Sequence, residues 1–470
     1  MTTLVPVVKA VQDHILFFVQ PFLEKMLMEN KKLVLSKYTY IFVTSKQKNL
    51  VYNSITNSLF EVNVNLYEQL QACIADSDNI NNLDDETVDF LYKKKIIVEK
   101  DKDDLFLLNY QYETDRSTYS KNVLGLTIAP TLACNFSCSY CFEEHKRKIS
   151  MDERTENAII SFINNHQESR ELHLNWYGGE PLLAIGTIER LLDKITNGTT
   201  LKFTKHNLIT NGFLVNDRVI SLFKKYPLNV VQITLDGKRE RHNLIRKTKA
   251  DLPTYDKIID NINRLLNEFD NTCVHVRVNI EKSNVGDYYE VANELRKMYD
   301  GKRLVVYPGF LRIDNEEKTA YSCRSMDRKD IAELMFDAVN KKVINESLYP
   351  QLFCSKTCAA TRQCAYIVGP EGEVYKCWND VGNPERVVGT IHGNKIINRT
   401  LLNKYIVGSK WYHDEACRKC FFLPICNGTC AWYVLRNKYE NGKYDLCTCM
   451  QKSPGMLEKC LETYYEMNAE

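Results

Sequence analysis

Between residues 122 and 310, short apolar runs alternate with longer stretches in which apolar residues recur at helical spacing. The short runs predict strands over 125–130, 172–176, 202–209, 229–235, 272–279 and 303–308. The longer stretches predict helices over 152–167, 185–195, 216–225, 255–267 and 285–298. Strands that alternate with helices form parallel sheets. Because eight such units would close a full barrel, six predict an α/β fold with an open, partial (β/α)6 barrel.

The first 112 residues follow other patterns. Residues 1–36 are rich in apolar residues and predict a helical segment. Alternation over Tyr38–Thr44 and Leu50–Asn53 predicts a β-hairpin. Helices over 65–74 and 85–95 and a strand over 96–99 are expected next, with a charged turn at 100–104. Residues 37–112 therefore predict a small module of strands and helices, and the polar residues 113–121 predict a linker.

Seventeen cysteines among 470 residues are the unusual feature of the composition. The length allows two or three domains, and the formal net charge of +2 gives no indication of a nucleic-acid or membrane partner. No signal peptide is visible, and no apolar run approaches the roughly 20 residues of a membrane span. Many cysteines without an export signal favour metal ligands over disulfides. We therefore expect a cytoplasmic protein.

Three cysteines follow the first predicted strand in a C-x3-C-x2-C spacing: Cys134, Cys138 and Cys141. Three thiolates in one loop can hold three irons of a [4Fe–4S] cluster and leave the fourth iron open to a small molecule. A zinc site or redox-active thiols are the alternatives, but zinc sites usually offer four ligands in paired spacings. With Tyr140 before the third cysteine, the loop resembles the signature of the radical S-adenosylmethionine (radical SAM) enzymes.

Residues at later strand ends support this resemblance. Trp176–Pro181 resembles the G-G-E-P motif that contacts the methionyl amino group of SAM in these enzymes. Ile233–Arg246, which includes His242, resembles the segment S-[IL]-D-G-x4-H-x3-R, whose hydroxyl residue lies near the SAM ribose. The resemblance implies that SAM is contacted by Tyr140, Gly178, Gly179, Glu180, Pro181, Asn211, Thr234, Asp236, Arg246, Arg277 and Asn279. Of these, Arg277 and Asn279, at the end of the fifth strand, are the weaker candidates.

The C-terminal quarter carries Cys358, Cys364, Gly372 and Cys377, then Cys417-x2-Cys420-x5-Cys426-x3-Cys430, then Cys447 and Cys449. This pattern resembles the SPASM extension of radical SAM enzymes, which carries two auxiliary [4Fe–4S] clusters. By that resemblance one cluster is held by Cys358, Cys364, Cys377 and Cys430. The other is held by Cys417, Cys420 and Cys426 with either Cys447 or Cys449. Zinc remains the alternative, since C-x2-C is also a zinc spacing. The remaining cysteines, Cys73, Cys273, Cys323, Cys354, Cys460 and one of the final pair, need be only buried thiols.

These resemblances divide the chain into an N-terminal helical segment (1–36), the module (37–112), a radical SAM core with a partial TIM barrel (122–330), a SPASM domain (351–453) and a C-terminal helix (454–470). The module resembles the winged-helix recognition elements that bind a leader peptide at a sheet edge. A purely structural cap on the core is the alternative interpretation.

The resemblance implies SAM and three [4Fe–4S] clusters as cofactors, and an external electron donor such as flavodoxin or ferredoxin. The implied chemistry is removal of a hydrogen atom from a ribosomally made precursor peptide, followed by an oxidative thioether or carbon–carbon cross-link. Anaerobic sulfatase maturases share this layout, but they carry an Asp that acts as a general base where this chain has Trp378. The nearest Asp here, Asp380, lies two residues further on. Sulfatase maturation is therefore the alternative, and an iron–sulfur electron carrier a more distant one. No catalytic residue is assigned.

Overall fold

The computed structural model describes residues 32–141, 148–310, 325–343, 348–353, 357–426, 428–453 and 455–468. Most of the segment predicted as an N-terminal helix lies outside these ranges, as do Cys323 and Cys354. The part that is described corrects the prediction, because Leu33–Leu35 form a strand that pairs antiparallel with Ile97–Glu99.

The strands, numbered in chain order, are β1 Leu33–Leu35, β2 Thr39–Val43, β3 Asn49–Asn53, β4 Ser58–Val62, β5 Ile97–Glu99, β6 Val123–Ile128, β7 Glu171–Trp176, β8 Lys202–Thr210, β9 Val230–Leu235, β10 Cys273–Ile280, β11 Leu304–Phe310, β12 Ala365–Val368, β13 Glu373–Tyr375, β14 Gly389–Thr390 and β15 Lys395–Ile396.

The α-helices are α1 Val64–Ala75, α2 Asp85–Lys93, α3 Lys102–Tyr119, α4 Glu153–Asn164, α5 Ile185–Gly198, α6 Asp217–Lys225, α7 Arg239–Ile245, α8 Tyr255–Glu268, α9 Val285–Met298, α10 Arg328–Asn340, α11 Arg399–Asn403, α12 Glu415–Arg418, α13 Ala431–Tyr439, α14 Cys449–Lys452 and α15 Met456–Asn468.

The central sheet has the strand order β11-β10-β9-β8-β7-β6-β12-β13-β14-β15. The six strands from β6 to β11 are all parallel to their neighbours and follow one another in chain order, as the alternation of apolar runs predicts. The predicted α/β fold with a parallel sheet is confirmed. The sequence did not predict that β12 adds to β6 in parallel, so that the C-terminal cysteine region continues the same sheet.

Alternate residues of β6 to β11 face opposite sides of this sheet. One set, which includes Leu126, Leu174, Ile233 and Val276, joins helices α4, α5, α6, α8 and α9 in a single core. The other set lies on the opposite side, which we call the inner face. The carboxyl ends of the parallel strands share one edge, where α/β proteins place their sites.

The N-terminal module is a three-stranded antiparallel sheet, β2-β3-β4, with apolar residues on both faces. One face packs on α1 and α2 through residues such as Val51. The other face, with Phe42 and Tyr52, packs against Ile425 and against Leu461 of α15. The module is therefore joined to the C-terminal region by a shared core.

Two predictions about this region were wrong over most of their length. Residues 102–104 of the expected charged turn and residues 113–119 of the expected linker belong to α3, an 18-residue helix. Residues 100–101 form a turn, as expected. Its inward side packs on Trp411, whose indole N–H donates to the Thr114 hydroxyl at 3.2 Å. Nearby, the Tyr412 hydroxyl donates to Asp115 at 2.7 Å. Contacts to residues some 300 positions away thus hold this polar segment as a helix. Among the described residues, no helix combines the length and apolar character that crossing a membrane requires.

Candidate active site

The loop that carries the first three cysteines leaves the carboxyl end of β6 and is paired with a second loop. Phe136 forms an isolated antiparallel bridge with Thr248, just after α7. The ammonium group of Lys249 donates a hydrogen bond to the carbonyl oxygen of Cys134. The cysteine loop is therefore fixed from two sides, by its own strand and by the segment that follows Arg246.

The thiols of Cys134, Cys138 and Cys141 lie close enough for their charges to interact. The pKa of Cys138 is raised to about 11, chiefly by burial; the Arg246 guanidinium opposes this shift, and Asp236 and the other two thiols add to it. Burial raises the pKa of Cys134 as well. Thiols with such pKa values are protonated at neutral pH, and metal binding is what would deprotonate them.

Tyr140 lies at the centre of a buried polar network. Its hydroxyl donates to Oδ2 of Asp236 at 2.5 Å and accepts from Nη1 of Arg246 and Nδ2 of Asn279, both at 2.9 Å. Arg246 also lies 3.5 Å from Asp236 Oδ2 as an ion pair. The network connects the cysteine loop to the ends of β9 and β10 and to α7, so four predicted SAM contacts meet at one oxygen atom.

His242 holds the end of β9 in place. The backbone N–H of Asp236 donates to Nδ1 of His242 at 3.3 Å, so Nε2 carries the proton and donates to the Thr254 hydroxyl at 3.0 Å. That hydroxyl in turn donates to the carbonyl of Arg246. Burial lowers the pKa of His242 to about 3, which keeps it neutral in this role. The motif residues Asp236, His242 and Arg246 therefore form one hydrogen-bonded unit.

The two glycines after β7, both predicted SAM contacts, allow two loops to lie against each other. Gly178 has φ +121°, a region that favours glycine, and a Cβ built there would overlap the carbonyl oxygen of Thr131. A Cβ at Gly179 would overlap the carbonyl oxygen of Leu132. The glycines thus allow this loop to lie directly against the cysteine loop. Pro181 then begins a short 3-10 helix.

The Glu180 carboxylate is fully buried at the same place. It accepts from Leu182 N at 2.9 Å, the Thr210 hydroxyl at 2.8 Å and Asn211 N at 2.7 Å. Burial raises its pKa, and these three donors offset part of the rise. Because a carboxylate has about four acceptor positions, one remains for a ligand such as an ammonium group. The Asn211 side chain donates to Asn135 Oδ1 at 2.8 Å, which ties β8 to the cysteine loop.

Thr234 and Arg277 lie side by side on the inner face, as partners in the register of β9 and β10. Neither joins the Tyr140 network. Three buried atoms around that network have no hydrogen-bond partner among the described residues: Asn135 Nδ2, Arg246 Nε and Asn279 Oδ1. Unpaired buried polar atoms are rare, and a bound polar molecule with an amino acid and a ribose part, such as SAM, would supply partners. The residues present therefore fit SAM.

The first set of C-terminal cysteines is only partly gathered. The pKa of the Cys377 thiol is raised by burial and further by Asp380, Cys430 and Cys358. These three thiols share one neighbourhood, next to a cavity of about 70 Å³ that is lined in part by Cys358, Gly428 and Thr429. Such thiols beside a cavity fit an iron–sulfur cluster.

Cys364, the predicted fourth ligand, is buried at the start of β12. The fully buried Lys376 lies near both Cys364 and Cys358, and its amino group donates to the carbonyls of Arg362 and Ala365, both at 2.5 Å. Burial lowers the pKa of Lys376 to about 7, and the two thiols oppose this shift. Lys376 therefore fixes the turn that carries Cys364 and lies close to two predicted ligands.

The second set is gathered more closely. The pKa of Cys417 is raised to about 12 by burial and then, in decreasing order, by Asp414, Cys420, Cys426 and Cys447. Cys417, Cys420 and Cys426 are predicted ligands, and Cys447 is one of the two candidates for the last position. Nothing is described of the side chain of Cys449, whose backbone begins α14.

Within the described ranges, no three His, Cys, Asp or Glu side chains are close enough together to hold a single metal ion. In a [4Fe–4S] cluster each thiolate binds a different iron. Among the described cysteines outside the predicted ligand sets, Cys73 and Cys460 are buried, as expected for structural thiols, while Cys273 is only half-buried.

Trp378 and Asp380 have different environments. Trp378 packs on Tyr177, with ring centroids 4.8 Å apart, and so lies beside the loop of Glu180. Asp380 is buried, and its two oxygens accept from the Tyr405 hydroxyl at 2.6 Å and the Trp432 indole N–H at 3.0 Å. The Trp378 ring therefore lies at the edge of the candidate site. The Asp380 carboxylate is instead hydrogen-bonded to Tyr405 and Trp432.

Three residues of the site were absent from the sequence prediction: Asn135, Lys249 and Lys376. Asn135 and Lys376 directly follow or precede a predicted cysteine ligand, and that adjacency is the signal that could have identified them. Lys249 gave no such signal, because its contact with Cys134 joins segments 115 residues apart.

Residues 128–295 match the radical SAM superfamily. Radical SAM cyclopropyl synthase TigE of Paramaledivibacter caminithermalis is 22% identical over 459 residues, which cover 89% of this chain and 93% of that protein. The cysteine-type anaerobic sulfatase-maturating enzyme of Clostridium perfringens is 25% identical over 336 residues, covering 65% of this chain and 88% of that enzyme. The solved structure of native anSMEcpe with bound AdoMet and Cp18Cys peptide shares the fold, with a TM-score of 0.55 and 19% identity over 73% of this chain and 96% of that one.

Proposed function

Because residues 128–295 of this enzyme form a radical SAM domain, we propose that it modifies a ribosomally made precursor peptide by closing an oxidative thioether or carbon–carbon cross-link. When bound, the reduced cluster and SAM supply a 5′-deoxyadenosyl radical that removes a hydrogen atom from the peptide. Cys134, Cys138 and Cys141 would hold that cluster. The Tyr140 network and Glu180 would hold SAM beside it.

Two observations support a peptide as the substrate. The relative anSMEcpe was solved with a bound peptide, and other relatives are named as sulfatase-maturating enzymes. In this chain, β4 is an edge strand of the module, and within the described residues it pairs with β3 alone. A leader peptide could add to that edge by main-chain hydrogen bonds. Phe90 of α2 is 41% exposed and packs edge-on against Phe60 of β4, which provides an apolar wall beside it.

The observation that favours cross-linking over aldehyde formation is the position of Trp378. A sulfatase maturase needs a base to remove a hydroxyl or thiol proton, and Trp has no basic atom. Asp380 cannot replace that base where it lies, because both of its oxygens accept hydrogen bonds in a buried setting. The name of the relative TigE, a radical SAM cyclopropyl synthase, supports chemistry that closes a new bond.

A cross-link is a two-electron oxidation of the peptide. One hydrogen leaves as an atom to the deoxyadenosyl radical, and the second leaves as a proton after the new bond forms. The remaining electron would pass to an auxiliary cluster. A cluster held by the Cys377 set would lie near the site, because Trp378 directly follows Cys377 and packs on Tyr177. A flavodoxin or ferredoxin would supply the one electron that SAM cleavage consumes.

Mass spectrometry tests this proposal. The enzyme, reconstituted anaerobically, is incubated with SAM, a reductant and either the precursor peptide encoded beside its gene or a peptide with a sulfatase motif. We expect the precursor to lose about 2 Da per cross-link, since two hydrogens leave, without forming an aldehyde. Formylglycine in the sulfatase peptide, with the precursor unchanged, would instead support sulfatase maturation.

A further inference from the structure

The inner face of the sheet is polar, unlike the apolar core on its other side. Alternation along the strands places polar side chains on the inner face, among them Thr127, His173, Asn175, Asn207, Gln232, Thr234, His275, Arg277, Asn279 and Tyr307. Several of them bond to one another across the face. The Asn207 side chain donates to Asn175 at 2.9 Å, and the Tyr307 hydroxyl donates to Gln232 Oε1 at 2.9 Å.

Arg277 lies on this face near the strand ends, and it has no hydrogen bond or ion pair with any described residue. The carboxylates nearest along the strand ends have other partners. Asp236 pairs with Arg246 and Tyr140, and Glu281 pairs with Arg241. A half-buried guanidinium without a counter-ion is costly, because its desolvation is not offset.

The neighbouring strand leaves space for this guanidinium. A Cβ built at Gly309, which pairs with Asn279 in the register of β10 and β11, would overlap Nε of Arg277. Any side chain at that position would therefore displace the guanidinium. Gln232 accepts through Oε1 and keeps its NH2 group as a further donor on the same face. The result is a site with several hydrogen-bond donors in which no described carboxylate pairs with the Arg277 guanidinium.

We propose that Arg277 binds a carboxylate of the substrate peptide, from an Asp or Glu side chain or the C-terminus, on the inner face beside Thr234. This inference rests on the proposed function, because it takes a peptide as the substrate. A guanidinium pairs with a carboxylate through two parallel hydrogen bonds, which fixes direction as well as position. Such a pair would orient the peptide relative to the carbon that loses hydrogen.

The carboxylate could also come from SAM, and the experiment separates the two sources. Arg277→Met removes the charge, Arg277→Lys keeps it without the two-pronged geometry, and Gly309→Ala leaves Arg277 in the sequence but crowds it. The precursor peptide encoded beside the gene is used in its native form and with each Asp or Glu replaced in turn by Asn or Gln. Affinities for SAM and for each peptide are measured anaerobically by calorimetry.

We expect Arg277→Met to weaken binding of the native peptide at least tenfold, the scale of a lost charged hydrogen bond, with SAM affinity unchanged within about threefold. One peptide with a replaced carboxylate should bind the native enzyme as weakly and show no further loss with Arg277→Met. Gly309→Ala should reproduce the loss, and Arg277→Lys should recover part of it.

Weaker SAM binding with unchanged peptide affinity would assign Arg277 to SAM and overturn the proposal. The proposal would also be overturned if, for every peptide, the loss of affinity from Arg277→Met added to the loss from the replaced carboxylate, since no single carboxylate would then contact Arg277. SAM cleavage without peptide serves as a separate readout. If the native enzyme cleaves SAM while these peptide effects are absent, the inference fails and the radical SAM assignment stands.

Discussion

The hydroxyl of Tyr140, in the cysteine loop, donates a hydrogen bond to Oδ2 of Asp236, at the end of β9, over 2.5 Å. This bond joins the loop that would hold the first cluster to the strand whose end would contact SAM. Since Arg246 and Asn279 donate to the same hydroxyl, the position of one oxygen atom sets the positions of three candidate SAM contacts.

Replacing Tyr140 by Phe should therefore weaken SAM binding at least tenfold while leaving the iron content unchanged. The substitution keeps the ring but leaves three buried groups without their partner, at a cost of about 1–3 kcal/mol for each group left unpaired. Calorimetric titration of the reconstituted enzyme with SAM measures the effect. Tyr226→Phe is the matched control, because Tyr226 also donates to a carboxylate, that of Asp193, away from the site. Equal SAM affinity in both variants would show that the network is only structural.

Acid should destabilise the fold through its buried histidines. Burial lowers the pKa of His242 to about 3 and that of His206 to about 4, both from 6.5. Between these values and pH 6.5 the unfolded chain binds protons that the folded chain does not, so stability falls as the pH falls. We expect the thermal midpoint to decline from about pH 6.5 downward.

His242→Gln should flatten that decline, whatever its effect on the midpoint at neutral pH. His413→Gln, a change at an exposed histidine, should leave the slope as it is. Thermal unfolding of the reconstituted enzyme, followed by circular dichroism at several pH values, provides the slopes. An unchanged slope in His242→Gln would contradict a neutral His242 in the folded state.

The first cysteine set should hold one cluster of three. Replacing Cys134, Cys138 and Cys141 together by Ala should lower the iron content from about twelve to about eight per chain, since each cluster holds four, and should abolish SAM cleavage. Iron analysis and detection of 5′-deoxyadenosine measure the two effects. Cys273→Ala, outside the predicted ligand sets, is the control. Continued 5′-deoxyadenosine formation by the triple variant would exclude this loop as the SAM site.

The edge of β4 should bind the leader part of the precursor. Deleting the module is a poor test, because Phe42 and Tyr52 share a core with Ile425 and Leu461. Phe90→Glu, at an exposed position beside β4, should instead weaken leader binding at least tenfold, as loss of an aromatic anchor does at other interfaces. Ile74→Glu, at an exposed position of α1, should not. Fluorescence anisotropy with a labelled leader peptide compares them, and equal losses would leave the module as a structural cap.

The sequence predicted the six-stranded parallel sheet because its signal is local. Each strand from β6 to β11 buries alternate residues under helices of its own unit, so periodicity alone reveals it. The helix α3 was missed because its polar residues Thr114 and Asp115 resemble a linker until Trp411 and Tyr412 are known to contact them. The strand β4 is short, and its pairing with β3 was not visible in the pattern.

The candidate site was predictable as a set of residues but not as an arrangement. The motifs identified Tyr140, Asp236 and Arg246, yet nothing in their spacing indicates that all three meet at one hydroxyl. That contact depends on how three segments fold at the end of the sheet. The same holds for Arg277, whose lack of a partner among the described residues is a property of its surroundings rather than of the sequence near it.

The most direct test of the account is the fate of hydrogen from the peptide. The precursor encoded beside the gene is prepared with deuterium on its non-exchangeable carbons and incubated anaerobically with the enzyme, SAM and a reductant in ordinary water. The account predicts 5′-deoxyadenosine that carries one deuterium, formed together with the cross-linked peptide. Cross-linked peptide accompanied by 5′-deoxyadenosine without deuterium would contradict it, because the peptide would then not be the source of the hydrogen atom.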